Sequence, residues 1–144
     1  MPPRSNAPQD SGEVAPVLQL RKSFRFEAAH RLPYVPPGHP CGAMHGHSYR
    51  VILHLRGPLD PVLGWVVDFG EVGRVAKPLI ASLDHTCLND VPGLENPTSE
   101  LLCVWLAERL RLALPALFAV EVEETESSGA RYEWSTIQRS RKAK

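Results

Sequence analysis

Seven residues in this sequence have the chemistry and spacing of a reactive site. His45-Gly46-His47 places two imidazoles two residues apart, so on a strand both project from one face. Neutral imidazole is a good ligand for Zn²⁺, and Gly46 leaves room beside a metal. Two hydrogen-bonded histidines at a strand start would leave the same pattern. A third histidine, His30, favours metal because it ends an earlier strand on that strand's apolar parity. If the two strands pair antiparallel, His30, His45 and His47 converge at one end of a sheet. Three protein ligands leave a tetrahedral ion one open position, the mark of a catalytic zinc. His54 has the opposite parity and His39 sits in a proline loop, so neither is expected to join them.

Cys41 lies four residues before His45, where a nearby metal or imidazole would favour its thiolate. It could instead be a fourth ligand that closes a structural site. Asp84-His85 offers a carboxylate that could orient an imidazole, and that imidazole could relay a proton. A helix-capping Asp beside a surface His would look the same. Glu124 shares parity with Val120 and Val122, so an apolar strand face ends in a carboxylate. A buried charge is costly unless paired. Either the strand has opened to water there, or Glu124 meets a donor such as the N–H/NH₂ edge of a pterin or guanine ring.

The elements that must position these residues are legible from period and punctuation. Between Leu18 and His30 the even positions Leu18, Leu20, Phe24, Phe26 and Ala28 are apolar, a half-buried strand. A loop with Pro33, Pro36, Pro37, Gly38 and Pro40 follows. The second strand runs from about His45 to Arg56 with His45, His47, Tyr49, Val51, Leu53 and Leu55 on one face, and Gly57-Pro58 ends it. Trp65-Val66-Val67 reads as a short third strand. Asp68 with Glu71 resembles a capping box for a helix through Val75 to Leu83, with Pro78 placed to kink or split it. Asn96-Pro97 offers an N-cap and first-turn proline for a second helix, whose stripe is Leu101, Leu102, Trp105, Leu106 and Leu110. Alternation at Val120/Val122 and at Ala130/Tyr132/Trp134 closes the chain with two strands. This order gives an α+β fold of antiparallel strands with helices on one face.

The chain of 144 residues is 43% hydrophobic, enough for one domain with a real core. That domain is expected over 17–136. Residues 1–16, which include Pro2, Pro3, Pro8 and Pro16, read as a disordered extension. Residues 137–144 read as a basic tail without the interleaved aromatics of a nucleic-acid binder. Sixteen basic and sixteen acidic residues cancel, which removes global charge as a reason to bind nucleic acid or an anionic membrane. An odd count of three cysteines, no apolar leader and no run long enough to span a bilayer point to a cytoplasmic protein. Cys103 falls in the helix stripe as a core residue, and Cys87 in a loop.

Taken together, the segments FEAAHRLP (26–33), CGAMHGHS (41–48), GWVVDF (64–69), LDHTCLND (83–90), GLENPTSE (93–100) and EET (123–125) are similar to the 6-pyruvoyl-tetrahydropterin synthase superfamily. They most resemble its bacterial 6-carboxy-5,6,7,8-tetrahydropterin synthase branch. The branch choice rests on Cys41-x₃-His45-Gly46-His47, because the pyruvoyl enzymes resemble Cys-x₅-His-Gly-His. The resemblance implies the tunnelling fold, a four-stranded antiparallel sheet with two helices on one face. It implies assembly as a homo-oligomer, commonly a hexamer. It carries zinc ligation to His30, His45 and His47, the catalytic thiol to Cys41, and the relay to Asp84 and His85. Pterin anchoring goes to Glu124, with Thr98 and Ser99 helping to hold the ring. The implied reaction converts 7,8-dihydroneopterin triphosphate to 6-carboxytetrahydropterin with release of triphosphate and acetaldehyde, toward queuosine and other 7-deazapurines.

Overall fold

A computed structural model describes residues 14–134. Among them are β1 (Val17–His30), β2 (His45–Pro58), α1 (Phe69–Leu83), β3 (Thr86–Cys87), α2 (Ser99–Leu110), β4 (Leu117–Thr125) and β5 (Ser128–Glu133). The strands form one sheet in the order β3-β1-β2-β4-β5. β1 and β2 pair antiparallel along their whole length, from Val17 opposite Pro58 to His30 opposite His45. This register turns the even residues of β1 and the odd residues of β2 to one face. There Phe26 and Tyr49 stack at 4.8 Å and are buried with Val51, Leu53 and Leu55. α1 packs on β1, and α2 covers β4 and β5, so both helices lie on that face. The α+β architecture is as the alternation predicts.

Four details differ from the sequence expectation. Residues 65–67 form no strand. Both sides of β2, the strand that precedes it in the chain, are already taken by β1 and β4. Asp60 holds the chain in a turn instead: its Oδ1 accepts from the N–H groups of Val62 and Leu63, and its own N–H donates to the Trp65 carbonyl. The extra strand is Thr86–Cys87, which pairs parallel with Ala28 and Ala29. The sheet is therefore five-stranded and mixed, and Cys87 lies on a strand. α1 runs unbroken through Pro78, which sits on its exposed side, and Asp68 caps it by accepting from Gly70 N at 2.8 Å.

α2 begins two residues later than Asn96-Pro97 suggests. Thr98 is its N-cap, with Oγ1 accepting from Leu101 N at 3.1 Å. Pro97 precedes the cap, and its carbonyl is engaged elsewhere, as described below. Of the expected extension, residues 14–16 are exposed, and the Pro16 carbonyl accepts from Leu59 N; the rest, with the basic tail, lies outside the described residues. No helix among the described residues is long and apolar enough to cross a membrane. Cys103 is buried, and burial pushes its thiol up to about 11.

Candidate metal centre

The β1–β2 register decides where the imidazoles meet. His30 stands opposite His45, and His47 stands opposite Ala28. The three rings lie edge to face with centroids 4.6–5.0 Å apart. One nitrogen from each falls within 4.8 Å of the others. His30 is only 1% exposed. His54 points to the opposite face, 2.9 Å from Glu121, and His39 caps the turn at Cys41 by accepting from its N–H.

The outer contacts fix the tautomers. His30 Nδ1 lies 2.8 Å from the Pro97 carbonyl, and His45 Nδ1 lies 2.7 Å from the Ala43 carbonyl. A carbonyl can only accept, so in the neutral ring each Nδ1 carries the proton and each Nε2 presents a lone pair. Those two Nε2 atoms face each other at 3.0 Å. Glu124 Oε1 sits 3.2 Å from His30 Nε2 and 3.3 Å from His47 Nε2. The latter contact is close enough for an ion pair, yet His47 Nε2 is buried without a hydrogen bond. Lone pairs converging on one point are a poor arrangement for a protein alone and a good one around a cation. All-nitrogen donors of this kind suit zinc. Burial also holds the His47 imidazole below its ordinary pKa, with Glu124 opposing, which favours the neutral, ligating form.

Glu124 reaches this point because β4 is irregular there. Glu123 pairs with Gly129 and Thr125 with Ser128, leaving Glu124 outside the ladder. Bulges of this kind re-aim a side chain. Its carboxylate is 27% exposed, so it faces both the histidines and the opening.

Cys41 sits on a short 3₁₀ turn, Pro40–Gly42, and is partly exposed. It is not a member of the metal-capable group. Asp84 caps the C-terminus of α1 and also lies 3.0 Å from His85 Nδ1. The same Asp84 oxygen accepts from Glu27 N at 2.9 Å, and that bond, ahead of the contact with His85, holds its carboxyl below the usual range. His85 occupies the left-handed region with φ 58° and is held there by its N–H donating to the Glu27 carbonyl. Its ring is 79% exposed and, with Glu27, Gly46, His47, Ser48 and Thr86, lines an open cleft of about 470 Å³. The Thr98 hydroxyl caps α2, and Ser99 opens that helix, two residues after the Pro97 carbonyl that meets His30.

Sequence reading missed Tyr49 and the carbonyls of Pro97 and Ala43. Tyr49 OH lies 3.1 Å from His30 Nδ1, and burial raises its pKa well above the ordinary phenol range, so it remains a neutral hydroxyl. Its signal was its parity with His45 and His47. A backbone carbonyl leaves no mark in sequence.

A family model described as 6-pyruvoyl tetrahydropterin synthase matches residues 19–135. The chain belongs to that family. Among 6-pyruvoyl tetrahydropterin synthase relatives, it is 41% identical over 119 residues to the 6-carboxy-5,6,7,8-tetrahydropterin synthase of Synechocystis sp., covering 78% of this chain and 91% of the relative. It is 30% identical to the dihydroneopterin monophosphate aldolase of Pyrococcus furiosus, over 76% of this chain and 91% of that one. The fold matches the Caenorhabditis elegans 6-pyruvoyl tetrahydropterin synthase with a TM-score of 0.78 at 27% identity, covering 85% and 99% of the two chains. The tunnelling fold implied by the motifs is therefore shared, with the five-stranded sheet described above.

Proposed function

We propose that this chain is a zinc-dependent 6-carboxy-5,6,7,8-tetrahydropterin synthase acting on 7,8-dihydroneopterin triphosphate, in the route to queuosine and related 7-deazapurines. The observation that carries the reading is the convergence of three imidazole nitrogens in a chain 41% identical to a synthase of that name. The short Cys41-x₃-His45 spacing supports the same branch.

His30, His45 and His47 would hold the metal. When bound, zinc supplies Lewis-acid polarisation of the substrate's side-chain hydroxyls. Cys41 thiolate accepts the proton from the adjacent carbon, and its thiol makes no hydrogen bond among the described residues that would compete. His85, oriented through Nδ1 by Asp84, relays that proton through its exposed Nε2. Glu124 accepts from the pterin's N–H/NH₂ edge, with Thr98 and Ser99 beside the ring, so the reacting carbon is fixed near thiol and metal. No nicotinamide or flavin is required, since the redox change stays within the substrate.

The active species is proposed to be a homo-oligomer, a hexamer by resemblance, in the cytoplasm. Among the described residues no strand lies beside the outer side of β1 from residue 17 to 27 or beside the outer side of β5. Such edges are templates for pairing with another copy.

Glu124→Gln is expected to weaken pterin binding far more than folding, because an amide presents one acceptor where the ring edge offers two donors. Each lost charge-assisted bond is worth about 1.5–3 kcal/mol. A binding titration with unchanged affinity would show that Glu124 does not anchor the pterin.

The whole reading is tested by incubating the protein with dihydroneopterin triphosphate and identifying products by mass spectrometry. Acetaldehyde is expected in step with triphosphate, trapped by alcohol dehydrogenase as loss of NADH absorbance. Triphosphate with a pyruvoyl product would place the chain in the other branch. Metal uptake with no turnover would leave a zinc-stabilised module.

A further inference from the structure

Where β3 stops, a side chain takes over as β1's neighbour. β3 pairs only with Ala28 and Ala29. Two residues on, Arg31 N–H donates to Asn89 Oδ1 at 3.0 Å, and the Arg31 carbonyl accepts from Asn89 Nδ2 at 2.8 Å. A primary amide carries one acceptor and two donors, so it can satisfy both backbone groups of a residue as a strand would. The residue it grips directly follows His30.

The same amide reaches the segment that meets the His30 ring. Asn89 Nδ2 also lies 3.4 Å from the Glu95 carbonyl. That carbonyl belongs to the segment whose Pro97 carbonyl accepts from His30 Nδ1. Trp105 Nε1 pins the far end of this segment by donating to the Pro92 carbonyl at 3.1 Å. His30 is thus located from its backbone and from its ring by two pieces of chain that meet at Asn89. Outer contacts of this kind fix which nitrogen of a metal-binding histidine is bare and where it points.

We propose that Asn89 is a positioning residue for His30: it aligns the Pro97 carbonyl with the strand end, and so sets the ring's tautomer and the affinity of the three-histidine site for metal. The inference rests on the metal reading given above. Asn89 touches none of the three rings and acts only through Arg31 and the 91–97 segment.

Two substitutions separate this from a general contribution to folding. Asn89→Ala removes these three bonds and the 3.8 Å contact of Cys87 Sγ with Oδ1. Asn89→Asp keeps size and one acceptor but sets a carboxylate against two carbonyls. In metal-free protein, ¹⁵N shifts of His30 should report a protonated Nδ1 in the wild type and a mixture of tautomers in both variants. Zinc affinity, measured by competition with a chromophoric chelator at a temperature where circular dichroism shows folded protein, should fall by about 10–100-fold. Wild-type tautomer and affinity in a folded variant would overturn the proposal, even if the thermal midpoint had dropped. Should neither variant fold, hydrogen exchange of the wild type decides: the Arg31 amide must be protected like the adjoining strand, and loop-like exchange overturns the assignment. A wild type that takes up no zinc would sink the metal reading, while the tautomer comparison would still judge Asn89.

Discussion

Cys41→Ala is expected to lower turnover by about 10²–10⁴-fold, the range for loss of a positioned acid–base group, while metal content and thermal midpoint stay near wild type. The turn that carries Cys41 is held by its backbone: its N–H donates to His39 Nδ1 and its carbonyl accepts from Leu32 N. Alanine keeps both bonds and removes only sulfur. The histidine group forms without the thiol, so the metal should not notice the change. Turnover, zinc by mass spectrometry and a thermal melt on one sample settle the matter. A variant that is both zinc-poor and unstable would make Cys41 a fourth ligand, since loss of a structural metal lowers affinity and folding together.

The second large effect concerns the metal itself. Purified protein should carry about one zinc per chain, and His45→Ala or His47→Ala should lose most of it, because each supplies one of only three converging nitrogens. His54→Ala should retain it. His54 stands on β2 like His45 and His47 but on the opposite face, engaged with Glu121. Equal loss in all three variants would mean that the inward face of β2 had been misassigned, since a one-residue slip of register exchanges the two faces. Metal analysis after exhaustive dialysis is sufficient to tell these outcomes apart.

The part of this site that sequence discloses is the part governed by period. Parity alone places His30, His45 and His47 on one face and His54 on the other, because a paired strand has a single alternation to obey. The same parity put Glu124 on the inner face; the bulge that releases it from the ladder has no signature in Glu123-Glu124-Thr125. Asp84 and His85 lie together in the chain, yet Glu27, from a distant segment, holds both: its N–H donates to the Asp84 carboxylate and its carbonyl accepts from His85 N. Trp65-Val66-Val67 has strand propensity, but both sides of the preceding strand β2 are taken, whereas Thr86–Cys87, too short to read by period, pairs beside the end of β1. Thr98 caps α2 in place of Asn96, and the Pro97 carbonyl between them is engaged by His30. Each miss is tertiary context overriding a local preference.

Gly93 shows how far the demands of this centre extend into ordinary loop sequence. Its φ of +89° is strained for any side chain, and a Cβ there would lie 3.1 Å from the Trp105 ring. That ring cannot step aside, since Pro92 holds its Nε1 and Arg109 packs over its face at 3.8 Å. In a saturation library, position 93 should therefore behave as a sink: almost every replacement selected against, although its neighbours are Trp105 and Arg109 and not the three histidines. Variants recovered there would be expected to carry compensating changes at Trp105. Mutational intolerance would then trace the outline of the scaffold around the chemistry, and a map of fitness alone would mistake this glycine for part of the catalytic apparatus.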